Sequence, residues 1–170
     1  MSKPTLKVTA DFTRDFNAII AKFRNDKVLV GIPEEENNRE LDPDDETGKL
    51  PIGNAALLAI NNFGSPANNI PARPVMEIGI RNAQDEIAEQ FRQAATKALS
   101  TGVKAVGPAY ERAGIIAANS IKKAINQQEG IAEPSEATIK SREARGFKGT
   151  KALIVTAQMR NAITHLVKEG

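Results

Sequence analysis

The sequence contains no cysteine and no tryptophan, and His165 is the only histidine among its 170 residues. Without cysteine the chain can form neither a disulfide nor a thiolate metal site, and it has no cysteine nucleophile. A single histidine excludes the metal sites and catalytic motifs that need two. Aromatic residues make up 4% of the chain, which disfavours a surface on which nucleic-acid bases stack. These absences argue against the common kinds of enzyme and predict no cofactor.

Several other signals are missing as well. The sequence has no G-x-S-x-G nucleophile motif, no Walker A loop and no G-x-G-x-x-G. His165 has no evident catalytic partner, so we expect it on the surface or on a strand rather than as a general base. No apolar run approaches the ~18 residues that span a bilayer, and the residues after Met1 do not resemble a secretory signal. We therefore expect no membrane partner and a cytoplasm-like compartment.

The composition that is present is that of a globular protein. Hydrophobic residues make up 41% and charged residues 26%, with a net charge of +2. A chain of this length predicts a single domain over residues 1–170. Helical spacing predicts an N-terminal amphipathic helix over 11–24, whose stripe packs on the protein's own core or, as the alternative, on a neighbouring subunit. The stripe consists of Phe12, Phe16, Ile19, Ile20 and Phe23.

A strand and an acidic segment follow the first helix. The β-rich run over 27–33 ends in proline and predicts a strand. Between Glu34 and Glu46 the chain carries eight acidic residues and one arginine, so this window has a charge of −7 and the remainder +9. We predict a solvated, mobile acidic loop over 34–49, because Leu41 is its only strongly apolar residue. Its candidate contact residues are Glu34, Glu35, Glu36, Asp44 and Asp45. A cation site on Asp42, Asp44, Asp45 and Glu46 is the alternative, although the EF-hand spacing is not met.

The middle of the chain predicts three helices. The Ala- and Leu-rich segment 52–63 predicts a helix that ends at Gly64 in a left-handed cap. Helical spacing predicts two long helices over 81–100 and 106–126, which are separated by Thr101-Gly102. Pro108 fits in the first turn of the second long helix.

Between the first of these helices and the long pair, three prolines predict extended chain. Pro66, Pro71 and Pro74 predict a stiff connection over 65–74, and a short extended piece is expected over 75–80.

The last third of the chain predicts shorter elements. Ser135 is expected to cap a short helix that ends near Ala144, and 145–151 reads as a basic loop. Thr156 is the expected cap of a helical turn through Arg160. Alternation over 163–167 predicts a closing strand, with a helix as the alternative. The predicted fold class is α+β: a small sheet of a few strands packed against two long helices, with the N-terminal amphipathic helix.

The region 140–151 concentrates positive charge. It contains Lys140, Arg142, Arg145, Lys148 and Lys151. We favour a solvated rim or the counterpart of an acidic patch on another subunit, because no recognition motif accompanies the charge. Nonspecific contact with phosphates is the alternative. Complementary charge between this region and the acidic loop would suit head-to-tail contacts in a ring.

Three stretches, taken in order, resemble a known family. They are NAALLAINNFG at 54–64, IPARPVM at 70–76 and LIVTAQMRNAIT at 153–164. Their order and spacing resemble the tail-completion or neck proteins of long-tailed bacteriophages, and the similarity extends over roughly 28–168. In that family a helix ending in Phe-Gly leads to an Ile-Pro-x-Arg-Pro turn, two long helices and a Leu-Ile-x-Thr-Gly-Gln-Met segment.

This sequence departs from the family at Val75, where an aromatic residue is usual, at Ala157, where glycine is usual, and at Ala162, where serine is common. Because alanine disfavours positive φ, Ala157 predicts a turn that does not need it. The acidic insertion is also longer than the family leads us to expect.

The resemblance implies a structural virion protein without enzymatic activity. Such a protein would form a homo-oligomeric ring at the head–tail junction or at the top of the tail, assembled in the host cytoplasm. Its partners would be head-completion, tail-terminator or tube proteins, and DNA would pass through the channel without specific binding. A tail terminator is the alternative within this class, and a nucleic-acid-binding accessory protein is the alternative outside it.

The motif residues that the resemblance singles out for interfaces are Phe63, Gly64, Ile70, Pro71, Arg73, Pro74, Thr156, Gln158, Met159 and Arg160. Arg73, which is followed by Pro74, is expected to direct its guanidinium at a carboxylate or at carbonyl groups. Whether these acceptors belong to its own chain or to a neighbour is left open by the sequence.

Overall fold

The structure is a computed structural model that describes residues 13–39, 52–154 and 157–170. It contains the helices α1 (Thr13–Asn25), α2 (Asn54–Phe63), α3 (Val75–Thr101), α4 (Gly107–Gln127), α5 (Glu136–Ala144) and α6 (Gln158–Asn161), and the strands β1 (Lys27–Gly31) and β2 (Thr164–Lys168). Short 3-10 turns lie at Glu34–Glu36, Pro66–Asn68 and Val103–Ala105. The predicted α+β class is confirmed: helices dominate, and the two long ones accompany a small antiparallel sheet. Within the described ranges, no helix is both long and apolar enough to cross a membrane.

The sheet is a two-stranded ribbon that lies on α4. Lys27 pairs with Lys168 at one end and Gly31 pairs with Thr164 at the other. Because side chains alternate along a strand, the two strands share an inner and an outer face. The inner face carries Val28, Val30, His165 and Val167, which are half-buried, and the outer face carries Leu29 and Leu166, which are exposed. Helix α4 packs on both strands, and α3 packs along α4.

Close approach of backbones defines the centre of the molecule. A Cβ atom at Gly79 of α3 would lie 2.5 Å from Cα of Ile121 on α4, so the two long helices touch where only glycine fits. A Cβ at Gly114 would likewise lie 2.2 Å from Cδ2 of His165, so α4 leaves room there for the ring of a β2 residue. The helix predicted over 106–126 is confirmed as α4, and its buried residues at helical spacing include Tyr110, Ala113, Ala117, Ile121 and Ile125.

The N-terminal helix spans 13–25 where 11–24 was predicted, and residues 11 and 12 lie outside the described ranges. Its stripe is covered only in part. Ile19 is buried, and Phe23 packs near Tyr110, with their ring centroids 6.2 Å apart. Phe16 and Ile20 remain half exposed.

The prediction of an extended piece over 75–80 is wrong, because α3 already begins at Val75. A cap from another helix explains this early start. Oδ1 of Asn62 accepts the backbone N–H of Met76 at 3.1 Å, and Nδ2 of Asn62 donates to Oε1 of Glu77 at 3.2 Å. The first turn of α3 therefore obtains from α2 a hydrogen-bond partner that its own N-cap residue, Pro74, does not supply.

The connection over 65–74 is also not extended throughout. Residues 66–68 form a 3-10 turn, and Ser65 forms an antiparallel bridge with Ile70. Gly64 adopts positive φ as expected for a helix end, but its ψ of 174° differs from that of a left-handed helical cap. A Cβ at Gly64 would lie 2.8 Å from the backbone nitrogen of Ala72, so the chain folds back tightly on this residue.

In the last third, Ser135 caps α5 as predicted, since its Oγ accepts the N–H of Thr138 at 3.2 Å. The loop over 145–151 and the closing strand are also confirmed. The prediction for Ala157 is wrong, because this residue has φ 60° and precedes α6. Left-handed alanine costs on the order of 1 kcal/mol, which the burial of Met159 in the following turn offsets. Thr156 lies outside the described residues.

Only the beginning of the predicted acidic loop is described. Glu34, Glu35 and Glu36 form an exposed 3-10 turn. Asn37 then caps α2, because its Oδ1 accepts the N–H of Ala55 at 2.8 Å. The rest of the predicted loop lies outside the described residues, including Asp42, Asp44, Asp45 and Glu46. The predictions of a mobile loop and of an alternative cation site fall on this part of the chain.

Candidate functional site

Arg73 is a buried cation that binds backbone carbonyl groups of its own chain. It is 8% exposed and lies in the turn between α2 and α3. Its Nε donates to the carbonyl oxygen of Ala132 at 2.8 Å and its Nη2 to that of Glu133 at 3.2 Å. Its Nη1 lies 3.5 Å from the carbonyl oxygen of Pro71. The intrachain alternative from the sequence therefore holds: this side chain ties the turn to the segment before α5.

Arg142 is a second buried cation. It differs in this respect from the other residues of the basic region 140–151, with which the sequence grouped it. It is 8% exposed, and its Nη1 donates to the carbonyl oxygens of Lys151 at 2.8 Å and Gly149 at 3.4 Å. This side chain therefore closes the loop 145–151 onto α5. The other members of the predicted cluster are exposed: Lys140, Arg145, Lys148 and Lys151.

Burial affects both guanidinium groups in the same direction. Desolvation lowers the pKa of Arg73, because the charged form loses water contacts. Desolvation also lowers the pKa of Arg142, and the positive charges of Arg73 and Arg145 lower it further. Among the described residues, no carboxylate lies within ion-pair distance of Arg73 or Arg142. This part of the protein therefore holds two like charges without a countercharge from the described chain.

Arg73 and Arg142 both line one cavity of about 470 Å³. Much of the rest of its wall is aliphatic: Ile52, Leu57, Ile60, Ile70, Leu153 and Met159. The wall also includes Pro71 and Gln158. Glu133, which precedes α5, and Thr138, in the first turn of α5, line it as well. The cavity thus brings together residues from all three stretches that carried the family resemblance and one from the basic region.

The remaining predicted site residues that the structure describes do not line this cavity. Phe63 is exposed, and with Gly64 it borders a separate shallow depression. Pro74 is the N-cap residue of α3. Arg160 contacts the Oδ1 atoms of Asn126 and Asn161. The exposed glutamates Glu35 and Glu36 line another polar groove, which they share with Asn54 and Gln158.

Several side-chain amides that bind distant backbone groups were not predicted from the sequence. Gln128 ends α4, and its side chain both accepts the N–H of Ala152 at 2.8 Å and donates to the carbonyl of Ala152 at 3.2 Å. Asn54 is buried, and its Nδ2 donates to the carbonyls of Glu36 and Asn38, at 3.1 Å each. No local pattern identifies such long-range contacts. For Arg142 the sequence likewise carried no sign of burial, because the surrounding basic residues indicate a solvated position.

Other chemistry is limited in the described part of the chain. His165 lies on β2 as expected, and its Nε2 is 3.0 Å from Oε2 of Glu111. Its ring packs against Gly114 of α4. The described residues contain no cluster of histidine, aspartate and glutamate that would hold a metal ion.

Searches of family models, of curated proteins and of solved structures find no match for this chain.

Proposed function

We propose that this chain is a structural virion protein of a tailed bacteriophage, which forms a ring at the head–tail junction or at the top of the tail. It would assemble in the host cytoplasm, bind copies of itself, and contact head-completion, tail-terminator or tube proteins. DNA would pass through the channel without specific recognition. The proposal starts from the resemblance of the three sequence stretches and is supported by three features of the structure.

The first support is that the three stretches pack into one unit. The N–H of Arg73 in the second stretch donates to the carbonyl of Asn61 in the first at 2.8 Å. Leu58 of the first stretch and Met159 of the third belong to the same buried cluster. The resemblance therefore falls on residues that depend on one another for packing.

The observation that carries an assembly role is the outer face of the sheet. Leu29 and Leu166 lie opposite each other and are 51% and 59% exposed. Full burial of such a side chain contributes about 1.5 to 3 kcal/mol. A two-stranded sheet is marginal alone, and an open strand edge is a ready template for pairing with another chain. This ribbon offers a neighbouring subunit both an apolar pair and backbone hydrogen-bonding groups.

Surface charge supports the same role. Glu34–Glu36 form an exposed acidic turn, whereas Lys140, Arg145, Lys148 and Lys151 form an exposed basic set. Complementary patches on one subunit favour heterologous contacts, which close into rings when the rotation between neighbours permits. Such contacts weaken as salt screens the charges.

The test is the oligomeric state of the purified chain. Light scattering after size exclusion, over a salt series, and electron microscopy should reveal closed rings. Leu29→Glu should disrupt them, because it places a charge in the proposed interface. Leu99→Glu is the matched control, since Leu99 is also exposed but lies on α3. Circular dichroism would verify that both variants fold.

A wild-type chain that remains a monomer at every salt concentration would contradict the assembly role. Antibody labelling of assembled virions tests the location. Label at the junction of head and tail, or at the top of the tail, supports the proposal, and virions that lack the chain would refute it. A tail terminator would instead label isolated tails at the end that later meets the head.

The exposed lysines and Arg145 also support a second candidate, a nucleic-acid-binding accessory protein. Binding would then decrease steeply with salt in a gel-shift assay. Replacing Lys140 and Lys148 with glutamine should weaken it, whereas the ring assembly of the first candidate would not require DNA. Arg142 does not belong to this surface, because it is buried.

A further inference from the structure

Arg142 retains unused hydrogen-bond donors in the cavity wall. Its Nη1 is occupied by the carbonyls of Gly149 and Lys151, whereas Nε and Nη2 have no acceptor in the described part of the chain. These two nitrogens present parallel N–H groups on one side of the guanidinium. That arrangement matches the two oxygens of a carboxylate, and such bidentate pairs are among the stronger hydrogen bonds in proteins.

Two further polar groups of the wall are incomplete. Oε1 of Gln158 and Nε of Arg39 are buried, and neither has a hydrogen-bond partner among the described residues. Both side chains line the cavity that Arg73 and Arg142 share. Since buried polar atoms are normally hydrogen-bonded, the unpartnered donor of Arg39 favours a ligand with an acceptor oxygen in this cavity. The oxygen of Gln158 is itself an acceptor and requires a separate donor, and Gln158 also lines the groove of Glu35 and Glu36.

The acidic residue in the wall does not supply that ligand. Glu133 accepts from Arg73 through its backbone carbonyl, and its side chain is exposed. Its carboxylate forms no ion pair with Arg73 or Arg142. Two buried cations therefore line the cavity without a carboxylate partner among the described residues.

The rest of the wall defines the body of the ligand. Among the described residues, the lining side chains are aliphatic or polar, and none is aromatic. The volume of about 470 Å³ lies within the roughly 300 to 1,000 Å³ that small-molecule sites occupy. An apolar chain that ends in one negative charge would fill the aliphatic part and neutralise the cationic part.

We propose that this cavity binds a small amphipathic carboxylate, an aliphatic acid whose carboxylate pairs with Nε and Nη2 of Arg142 and whose chain lies along Leu57, Ile60 and Ile70. Arg73 contributes positive charge and closes the wall. The site is independent of the proposed ring assembly, so either proposal can fail without the other.

Titration calorimetry with octanoate as the probe tests the site. We expect saturable binding with one molecule per chain. Octanol has the same chain without the charge and should bind at least about tenfold more weakly, because a charge-assisted bidentate pair is lost. Octylammonium, which carries the opposite charge, should not bind.

Three variants locate the site. Arg142→Lys keeps the charge but removes the paired N–H groups, so octanoate affinity should fall about tenfold or more. Lys140→Gln is the matched control on the exposed face of α5 and should bind like the wild type. Ile60→Trp fills the cavity from a half-buried position on α2 without altering either arginine, and it should abolish binding even if Arg142→Lys fails to fold.

Three results would overturn the proposal: no saturable octanoate binding, equal affinity for octanol, or undiminished binding by the folded Arg142→Lys or Ile60→Trp protein. Retention of ring assembly by Ile60→Trp, together with loss of octanoate binding, would separate this site from the assembly surface.

Discussion

Two regions of this molecule are stabilised in different ways. Where α3 crosses α4, stability comes from shape: Gly79 allows the backbone of Ile121 to approach, and the surrounding residues are apolar. Around the cavity, stability comes from side chains that bind backbone groups, as Arg73 and Arg142 do with carbonyls. The first region tolerates little added volume, whereas the second depends on individual hydrogen bonds and leaves space for a ligand.

The largest expected effect tests the packed region. Gly79→Ala places a methyl group 2.5 Å from Cα of Ile121, and backbone cannot yield as a flexible side chain can. We expect a loss of about 3 kcal/mol in the free energy of unfolding, despite the better helix propensity of alanine. Urea denaturation measures it. Gly107→Ala is the control, because nothing lies within 4 Å of its Cβ position, and it should not be destabilising. Equal stability of the two variants would remove the contrast.

The next effect tests the hydrogen-bonded region. Arg73→Met preserves much of the apolar stem but leaves the carbonyls of Ala132 and Glu133 without their donors. We expect a loss of about 2 kcal/mol, since a hydrogen bond from a charged group contributes about 1.5 to 3 kcal/mol. Faster hydrogen exchange at the amide of Ile131 should accompany it. Arg81→Met, at an exposed position of α3, should leave both measurements nearly unchanged.

A smaller effect tests the contact between α2, which borders the cavity, and the first turn of α3. Asn62→Ala removes the acceptor for the N–H of Met76 and the donor to Glu77, so the first turn of α3 loses its cap. Loss of a cap costs about 0.5 to 2 kcal/mol, and burial places this one near the upper end. Thermal unfolding would measure the loss. Asn119→Ala, at an exposed position of α4, should be neutral or slightly stabilising.

The smallest effect tests one hydrogen bond in the packed region, which joins a side chain of α4 to the backbone of α1. The Tyr110 hydroxyl donates to the carbonyl of Phe23 at 2.9 Å, and Tyr110→Phe should cost about 1 kcal/mol at neutral pH. Burial raises the pKa of Tyr110, with the charge of Asp26 adding to it. The unfolded chain therefore loses this proton first, and stability falls as pH rises above about 10.

Lys22 adds to the same alkaline trend. Its hydrogen bond to Asp26 raises the pKa of its ammonium group, so its contribution also disappears as pH rises. Comparing Tyr110→Phe with the wild type across this range isolates the tyrosine. Parallel stability curves for the two proteins would contradict its contribution.

Much of the packed region could be predicted from the sequence, because a repeating pattern encodes it. The stripe that includes Tyr110, Ala117 and Ile121 identifies both α4 and its buried face. The start of α3 could not be found that way. Pro74 precedes it and the local residues suit an extended chain, whereas the deciding contact comes from Asn62 on another helix.

The cavity could not be predicted from local sequence patterns either, because contacts between distant parts of the chain form it. The acceptors of Arg73 lie near residue 132, far along the chain, so the sequence could suggest carbonyl partners but not which ones. Arg142 stood among four other basic residues, and charge alone indicated a solvated position. The left-handed Ala157 reverses a conformational preference, and it precedes the helical turn that buries Met159.

The pairing of β1 with β2 also constrains the order in which the molecule can fold. Gly31 meets Thr164, so nearly the whole described chain forms the loop that this pairing closes. Helices α3 and α4 are joined by a short turn, and their contacts close a much smaller loop. Because long loops cost more entropy to close, we expect the helical hairpin to form early and the ribbon to attach to it late. A newly made chain would thus hold a formed helical pair before it acquires the surface on which Leu29 and Leu166 meet. The proposed self-association would then wait until folding is nearly complete.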